Sequence, residues 1–167
     1  MTTIRTATAA DLPAIAAIYN DAVHTSVSTF DTEPRPPEHF AERVASTRPG
    51  DHVLVAEDDD GDVLGFAYAS TYRPRPAYDG TRETSIYLRD EARGRGLGRA
   101  MYAELLDRVD ADGIHVVIAV IAQPNPASEA LHLAFGFERV GVLREVGRKF
   151  DDWVDTAFWQ RFGPAGR

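Results

Sequence analysis

Three glycines alternate with other residues in the segment Arg93–Ala100, and arginines lie before, among and after them. Glycine adopts positive φ without a steric penalty and lets the backbone approach a bulky group. An apolar-striped segment follows directly, and the N-terminus of a helix presents free N–H groups and a positive dipole end to an anion. The glycines and the arginine charges together predict a binding site for a phosphate or pyrophosphate.

The spacing of these glycines distinguishes between known phosphate-binding motifs. A P-loop needs Gly-Lys followed by Ser or Thr, and no lysine follows the glycines here. A dinucleotide motif needs G-x-G-x-x-G after the first strand of a βαβ unit, whereas Gly94, Gly96 and Gly98 lie in mid-chain. A third pattern, Arg-x-x-Gly-x-Gly between a strand and a long helix, is matched by Arg93, Gly96 and Gly98. The motif alone also permits a glycine-rich connection with a solubilising charge cluster.

Two other features have the chemistry of a reaction site. Glu83 lies at the head of an apolar strand that leads to the glycine motif, and a carboxylate there is a candidate general base. In Arg73-Pro74-Arg75, the proline holds two guanidinium groups that are suited to clamping a carboxylate. The alternatives are that Glu83 only pairs with a neighbouring arginine such as Arg82, and that the arginine loop is a solvated loop with incidental charges.

Apolar periodicity predicts one α/β domain over residues 1–167. Leu97, Met101, Leu105 and Val109 step by four and indicate the buried stripe of a helix. His115–Ile121 is almost entirely apolar and β-branched, which predicts a central strand buried on both faces. Strands are predicted near residues 3–7, 52–57, 63–71, 83–89, 115–121, 140–146 and 153–160, and helices near residues 12–23, 37–46, 97–113 and 127–135.

Composition excludes several classes of function. The chain has 167 residues, no cysteine and a formal net charge of −8, so a disulfide framework, a thiolate metal site and a broad nucleic-acid footprint are not expected. No secretory signal or membrane-spanning run is visible. The acidic segment Asp58–Asp62 is interpreted as a hairpin turn and not as a calcium loop. We expect a cytoplasmic protein with no nucleic-acid partner, no membrane partner and no metal.

The arginine and glycine pattern resembles the acyl-coenzyme A pyrophosphate loop of the GCN5-related N-acetyltransferases. The order of predicted elements is similar to that fold over nearly the whole chain, from about Thr3 to Phe162. Several stretches resemble one subgroup, the phosphinothricin acetyltransferases and the methionine sulfoximine/sulfone acetyltransferases; they are residues 18–23, 72–75, 83–88, 131–132 and 143–150. The resemblance implies a single-domain α/β fold with a mixed, mostly antiparallel central sheet flanked by helices.

The resemblance also implies acetyl-coenzyme A as co-substrate, with no metal. The strand at Ile86–Leu88 is expected to splay from its neighbour, so that its backbone pairs with the pantetheine arm and one N–H polarises the thioester carbonyl. Polar groups at the next helix hold the same arm. The residues implied in co-substrate binding are Ile86, Tyr87, Leu88, Arg93, Gly94, Arg95, Gly96, Leu97, Gly98, Arg99, Asn125 and Ser128.

Glu83 matches the residue assigned as the base in the subgroup, and burial at a pocket mouth is expected to raise its pKa. His132 occupies the place where many relatives carry a tyrosine acid. It could protonate the thiolate, assist the base, or pack beside the co-substrate, and Tyr102 is a weaker substitute. The residues implied in acceptor binding are Phe30, Arg73, Pro74, Arg75, Glu83, Thr84, Ser85 and Lys149. The run Tyr78–Arg82 departs from the usual subgroup sequence.

We therefore expect an N-acetyltransferase in which a small-molecule amine attacks the thioester directly. The leading acceptors are the α-amines of phosphinothricin, methionine sulfoximine and methionine sulfone. Transfer to another small amine or to a protein N-terminus, and a coenzyme A-binding module without activity, are the alternatives. The resemblance also implies a homodimer.

Overall fold

Seven strands and four α-helices form the architecture in the computed structural model, which describes residues 2–164 and residue 166. The elements in chain order are β1 (Thr3–Thr6), α1 (Leu12–Thr25), α2 (Ala41–Ala45), β2 (His52–Glu57), β3 (Val63–Thr71), β4 (Thr81–Leu88), α3 (Leu97–Ala111), β5 (Val116–Ala122), α4 (Pro126–Ala134), β6 (Glu138–Lys149) and β7 (Asp152–Phe162). Every predicted element is present, although the helix expected near residues 37–46 begins as a 3-10 turn at Pro37–Phe40. Within the described residues, each helix is too short or too polar to cross a lipid bilayer.

The sheet has the strand order β1-β2-β3-β4-β5-β7-β6. All neighbouring strands are antiparallel except β4 and β5, which are parallel. This arrangement confirms the expected mixed, mostly antiparallel sheet flanked by helices.

The parallel strands β4 and β5 pair only over their first residues. Thr81, Arg82 and Glu83 lie opposite Val116–Ile118, and no ladder follows between the two strands. Each strand keeps its other neighbour, because β4 pairs with β3 as far as Leu88 and β5 pairs with β7 over its whole length. A wedge therefore opens between β4 and β5 beyond Glu83, as expected, and backbone groups of β4 that face it have no strand partner.

Two apolar clusters cover the two faces of the sheet. On one face α3 packs its stripe of Met101, Leu105 and Val109, all fully buried, against the strands, which confirms the predicted helix stripe. On the other face, α1 packs through Ile15 and Ile18. Burial of each such side chain contributes roughly 1.5–3 kcal/mol, so both helices are held firmly against the sheet that carries the wedge.

The prediction that the fifth strand is buried on both faces was wrong. Val117, Ala119 and Ile121 are buried against the α3 side, but Val120 on the opposite face is 38% exposed. Within the part of the chain that the structure describes, the second face of β5 is not covered by a helix, because α1 packs on β3 and β4, and α2 packs on β2. The first face of β5 has a helix above it, whereas the second is partly open.

The acidic segment between β2 and β3 forms a turn. The Asp58 carboxylate accepts hydrogen bonds from the N–H groups of Asp60 and Asp62, at 3.1 and 2.9 Å. Gly61 has a φ of 87°. The carboxylate is thus used to close the turn, in agreement with the hairpin interpretation.

Candidate active site

The glycine motif forms the connection from β4 to α3. Gly94 and Gly96 have φ angles of 74° and 78°, in the left-handed region that favours glycine. Gly98 has a different role, since a Cβ there would lie 3.3 Å from Cδ1 of Leu88, a tight contact that the leucine side chain would have to accommodate. Two glycines therefore shape the loop and the third lets α3 pack closely against β4.

The N-terminus of α3 is free to receive an anion. The N–H of Ala100 donates to the carbonyl of Gly96 at 3.1 Å, so the N–H groups just before it have no intrahelical acceptor. Among the described residues, no side chain caps this end, and its first turn carries no acidic residue. The first turn instead carries Arg99, although a cation is unfavourable at the positive end of a helix dipole. These features fit a pyrophosphate.

The arginines of the motif remain at the surface. Arg93, Arg95 and Arg99 are exposed. Arg93 pairs with Asp90 at 2.8 Å, and the guanidinium of Arg99 lies 5.5 Å from the centre of the Phe135 ring. These side chains are therefore accessible to an anionic ligand at the loop.

The helix α4 follows the free end of β5 on the other side of the wedge. Oδ1 of Asn125 accepts from the N–H of Ser128 at 3.1 Å and caps the helix. This bond fixes the side chain and leaves its amide N–H groups available. Asn125 and Ser128 therefore lie at the start of α4, directly after the free end of β5.

His132 is buried one turn further along α4. Its Nδ1 lies 2.7 Å from the carbonyl oxygen of Ser128, which assigns the proton to Nδ1 because a carbonyl can only accept. The ring packs edge-on against Tyr102 and Phe137, with 5.0 Å between centroids in each case. Burial lowers the pKa of His132, although the bond to Ser128 opposes this shift. The imidazole is therefore neutral at pH 7, with the lone pair on Nε2.

Thr84 and Tyr102 meet where the wedge begins. The two hydroxyl oxygens lie 2.7 Å apart, and Oγ1 of Thr84 also donates to the carbonyl of Ile118 at 3.4 Å. Both residues are buried, on the α3 side of the sheet. The sequence assigned Thr84 to acceptor binding, but the structure does not bring its hydroxyl to the face that carries Glu83, because successive residues of a strand point to opposite faces.

Glu83, Ser85 and Tyr87 share the face of the sheet that α1 and α2 cover. Across the ladder, Tyr68 lies opposite Ser85 and Phe66 lies opposite Tyr87. The rings of Phe66 and Tyr87 stack at 5.2 Å, and those of Phe66 and Tyr68 at 6.2 Å. An aromatic floor formed by Phe66, Tyr68 and Tyr87 thus leads along the strands to Glu83.

Glu83 lies at the end of this floor, where β4 leaves β5. Burial raises the pKa of its carboxyl group, and the positive charges of Arg73 and Arg43 oppose that rise. Both arginines therefore act electrostatically on Glu83. A carboxylate that is ionised but poorly hydrated is suited to accept a proton from an ammonium group.

Arg82 does not pair with Glu83. Its buried guanidinium lies on the opposite face, where Nε is 2.7 Å from a carboxylate oxygen of Asp51, an ion pair whose alignment is outside hydrogen-bond geometry. Its terminal nitrogens donate to the carbonyls of Pro49 and Asp79, the latter at 2.9 Å. Arg82 is therefore excluded as the ion-pair partner of Glu83.

The predicted carboxylate clamp lies on the exposed loop between β3 and β4. The guanidinium of Arg73 lies 5.0 Å from the centre of the Tyr72 ring. Neither Arg73 nor Arg75 has a hydrogen-bonded or ion-paired side-chain partner within the part of the chain that the structure describes. Pro74 lies between them and is exposed. The loop that leads into β4 thus carries two accessible cations, of which Arg73 acts electrostatically on Glu83.

Phe30 and Lys149 lie together but differ in accessibility. Phe30 is 39% exposed, and its ring packs so closely on Gly147 that a Cβ there would overlap it. Lys149 is buried, and its ammonium donates to the carbonyls of Ser26 and Thr29 at 2.7 and 2.8 Å. The structure therefore gives Lys149 the position of a residue that holds the segment carrying Phe30.

Sequence reasoning missed the aromatic floor and Arg43. The alternation of Phe66 and Tyr68 on one strand was a usable signal for the floor, because residues two apart share a face. Nothing in the sequence distinguished Arg43, whose guanidinium carbon lies 4.2 Å from the centre of the Tyr68 ring. Its position depends on how the short α2 packs over the sheet.

The sequence matches one known protein family over most of its length. The model described as an acetyltransferase (GNAT) domain matches residues 4–158, so the chain belongs to the GNAT family of acetyltransferases.

Two similar proteins of this family have named acetyltransferase activities. The chain is 43% identical over 161 residues to the L-methionine sulfoximine/L-methionine sulfone acetyltransferase of Pseudomonas paraeruginosa strain PA7, covering 94% of this chain and 92% of that protein. It is 43% identical over 155 residues to the phosphinothricin N-acetyltransferase of Streptomyces coelicolor, covering 90% of each.

The fold of the chain is also similar to a solved structure of a phosphinothricin acetyltransferase. It is that of a GNAT superfamily phosphinothricin acetyltransferase from Sinorhizobium meliloti in complex with AcCoA; the TM-score is 0.92 at 44% identity, over 99% of this chain and 92% of that one. The expectation of an acetyl-coenzyme A-dependent N-acetyltransferase with this fold is therefore confirmed.

Proposed function

We propose that this enzyme acetylates the α-amine of a small amino acid analogue, with phosphinothricin, methionine sulfoximine and methionine sulfone as the leading acceptors. The observation that carries the proposal is the position of Glu83. Its carboxylate lies where the wedge opens, and the free arginines Arg73 and Arg75 lie on the adjoining loop. An amino acid has the two groups that this arrangement would bind, a carboxylate and an amine.

In this mechanism Glu83 accepts a proton from the acceptor's ammonium group. Arg73 and Arg75 hold the α-carboxylate, so that the amine faces the wedge and Glu83. The free amine then attacks the thioester carbonyl and the carbon–sulfur bond breaks. The proton that the attacking nitrogen still has to lose passes to the departing thiolate, so that the N-acetyl product and the coenzyme A thiol are released. The reaction needs no covalent enzyme intermediate, in keeping with a chain that has no cysteine.

Acetyl-coenzyme A supplies the activated acetyl group when bound. We propose that the loop Gly94–Gly98 and the free N–H groups of α3 hold its pyrophosphate, with Arg93, Arg95 and Arg99 adding positive charge. The backbone of Ile86–Leu88 faces the wedge and would pair with the pantetheine arm, with Asn125 and Ser128 on the opposite side. We also propose a cytoplasmic location, where acetyl-coenzyme A is available.

We infer that His132 acts on the thiolate side without being a strong acid. A neutral imidazole that donates its Nδ1 proton to Ser128 has only a lone pair to offer at Nε2. Such a group accepts a hydrogen bond and packs against Tyr102. This supports a role for His132 in orienting the reacting groups over a role as general acid.

The proposed function is tested by thiol release from acetyl-coenzyme A with a panel of amines. The panel contains the three leading acceptors, their decarboxylated amines, unrelated small amines and peptides with a free N-terminus. Turnover with the amino acid analogues above the other amines supports the proposal. Turnover confined to peptides or other amines points to a different acceptor, and tight coenzyme A binding without any turnover points to a non-catalytic binding module.

We also propose that two copies of the chain associate through β6. This strand lies at the edge of the sheet, and an unpaired edge with apolar side chains is suited to an interface. The exposed apolar residues of β6 and β7 are Val140, Leu143, Val146 and Trp153. Sedimentation equilibrium tests this, and Val140→Glu should convert a dimer to a monomer.

A further inference from the structure

Arg43 is a half-buried cation on the acceptor face. It lies on α2, and its guanidinium carbon is 4.2 Å from the centre of the Tyr68 ring. Tyr68 pairs across the ladder with Ser85, whose side chain shares a face with Glu83. Arg43 therefore lies above the aromatic floor, on an element separate from the loop that carries Arg73 and Arg75.

Arg43 makes no direct ion pair with a neighbouring acid among the described residues. Within the described residues its side chain has no hydrogen-bonded or ion-paired partner, and its contact is the aromatic ring. Asp31 is occupied by Arg35, which donates to both carboxylate oxygens at 2.8 and 2.6 Å, and by the Tyr19 hydroxyl at 2.7 Å. A cation that is partly withdrawn from water and makes no direct ion pair is suited to bind an anionic ligand, even with the Glu83 carboxylate within electrostatic range.

The acceptor face carries a local excess of positive charge. Arg43 and Arg73 both act electrostatically on a single carboxylate, Glu83, and Arg75 lies two residues after Arg73 on the same exposed loop, on a chain whose formal net charge is −8. The two loop arginines are enough to bind one α-carboxylate in a bidentate way. The third cation is therefore available for a second negative group on the same acceptor.

We propose that Arg43 is a specificity-determining residue that binds an anionic group at the distal end of the acceptor side chain. This proposal rests on the proposed function and adds to it a preference for amino acids with two negative groups. A phosphinate carries a formal charge for Arg43 to bind, whereas a sulfone offers only neutral oxygen acceptors. Charge-assisted hydrogen bonds are about twice as strong as neutral ones, so phosphinothricin should be preferred over methionine sulfone.

The test is Arg43→Met, with kcat/KM measured for phosphinothricin and for methionine sulfone by thiol release. Methionine keeps an apolar stem over Tyr68 and removes the charge. At a pH above the acidic limb, where loss of the Arg43 charge no longer changes the ionised fraction of Glu83, we expect kcat/KM to fall about 10- to 100-fold for phosphinothricin, the usual weight of a hydrogen bond to a charged group, and less than about threefold for the sulfone. Arg43→Lys should recover part of the loss, because it restores the charge without the planar fork.

The matched control is Arg108→Met, an arginine on α3 that pairs with Glu104 and should leave both acceptors unaffected. If Arg43→Met does not fold, salt provides the second test: in the wild type, preference for the phosphinate should fall as ionic strength rises. Equal losses for both acceptors, no loss for either, or a salt-independent preference would overturn the role of Arg43. Absence of turnover by the wild type with every amino acid analogue would instead overturn the proposed function.

Discussion

Glu83→Gln removes the proton-accepting charge from the proposed site while keeping the size of the side chain. General acid–base catalysis contributes about 10²–10⁴-fold to a rate, which corresponds to roughly 3–5 kcal/mol of transition-state stabilisation. We expect kcat to fall by that factor while the affinity for acetyl-coenzyme A stays within about twofold, since the glycine loop and Asn125 are on other elements. Thiol release and calorimetric titration measure the two quantities.

The pH dependence gives the same prediction a second readout. Burial raises the pKa of Glu83, and only its ionised form can accept a proton, so kcat/KM should rise with pH through a pKa above the ordinary value for glutamate. Arg73 lowers that pKa. Removing its charge in Arg73→Met should therefore move the acidic limb to higher pH, and Glu83→Gln should abolish the limb.

Stability should change in the opposite direction to activity. A carboxyl group whose folded pKa is raised binds more protons in the native state than in the unfolded one, so its ionisation weakens the fold as pH rises above the unfolded value. Glu83→Gln should thus leave Tm at pH 8 equal to or above that of the wild type. The control is Glu138→Gln, a change at an exposed residue of β6. A rate within about threefold of the wild type at pH 7, or an unchanged acidic limb, would refute the role of Glu83.

Three further changes test other parts of the site. Arg75→Ala should raise KM for acceptors with an α-carboxylate about 10-fold or more and leave KM for their decarboxylated amines unchanged; equal effects would argue against a clamp. Gly96→Ala should lower the free energy of unfolding by roughly 1–2 kcal/mol, because the φ of Gly96 is 78°, in the left-handed region. Calorimetry should also show weaker binding of acetyl-coenzyme A by this variant. Unchanged binding would contradict the assignment of the loop to the pyrophosphate. Tyr102→Phe should lower the free energy of unfolding by about 1–3 kcal/mol, since it takes a buried hydrogen-bond partner from Thr84, and denaturation that matches the wild type would show that this pair does not stabilise the wedge.

Features that depend on local sequence were predictable. The stripe of α3 follows from a four-residue spacing of apolar side chains, and burial of Met101 and Leu105 confirms it. The loop from Gly94 to Gly98 was recognisable because positive φ and close packing both favour glycine. The hairpin at Asp58–Asp62 follows from turn chemistry that also acts within a few residues.

The sequence by itself thus determined the elements, the conformation of the glycine loop proposed to bind the co-substrate, and the choice of Glu83 as a candidate base. Tertiary structure decided which side chains face the acceptor. Glu83 and Thr84 are adjacent in sequence but point to opposite faces of the sheet. The packing of α3 on one face and of α1 on the other determines which of these two faces is the acceptor side. Contacts such as Lys149 with the carbonyl of Ser26, and Arg43 with Tyr68, join segments far apart in the chain. No local pattern encodes such pairs, because they arise only when separate elements settle on the same sheet.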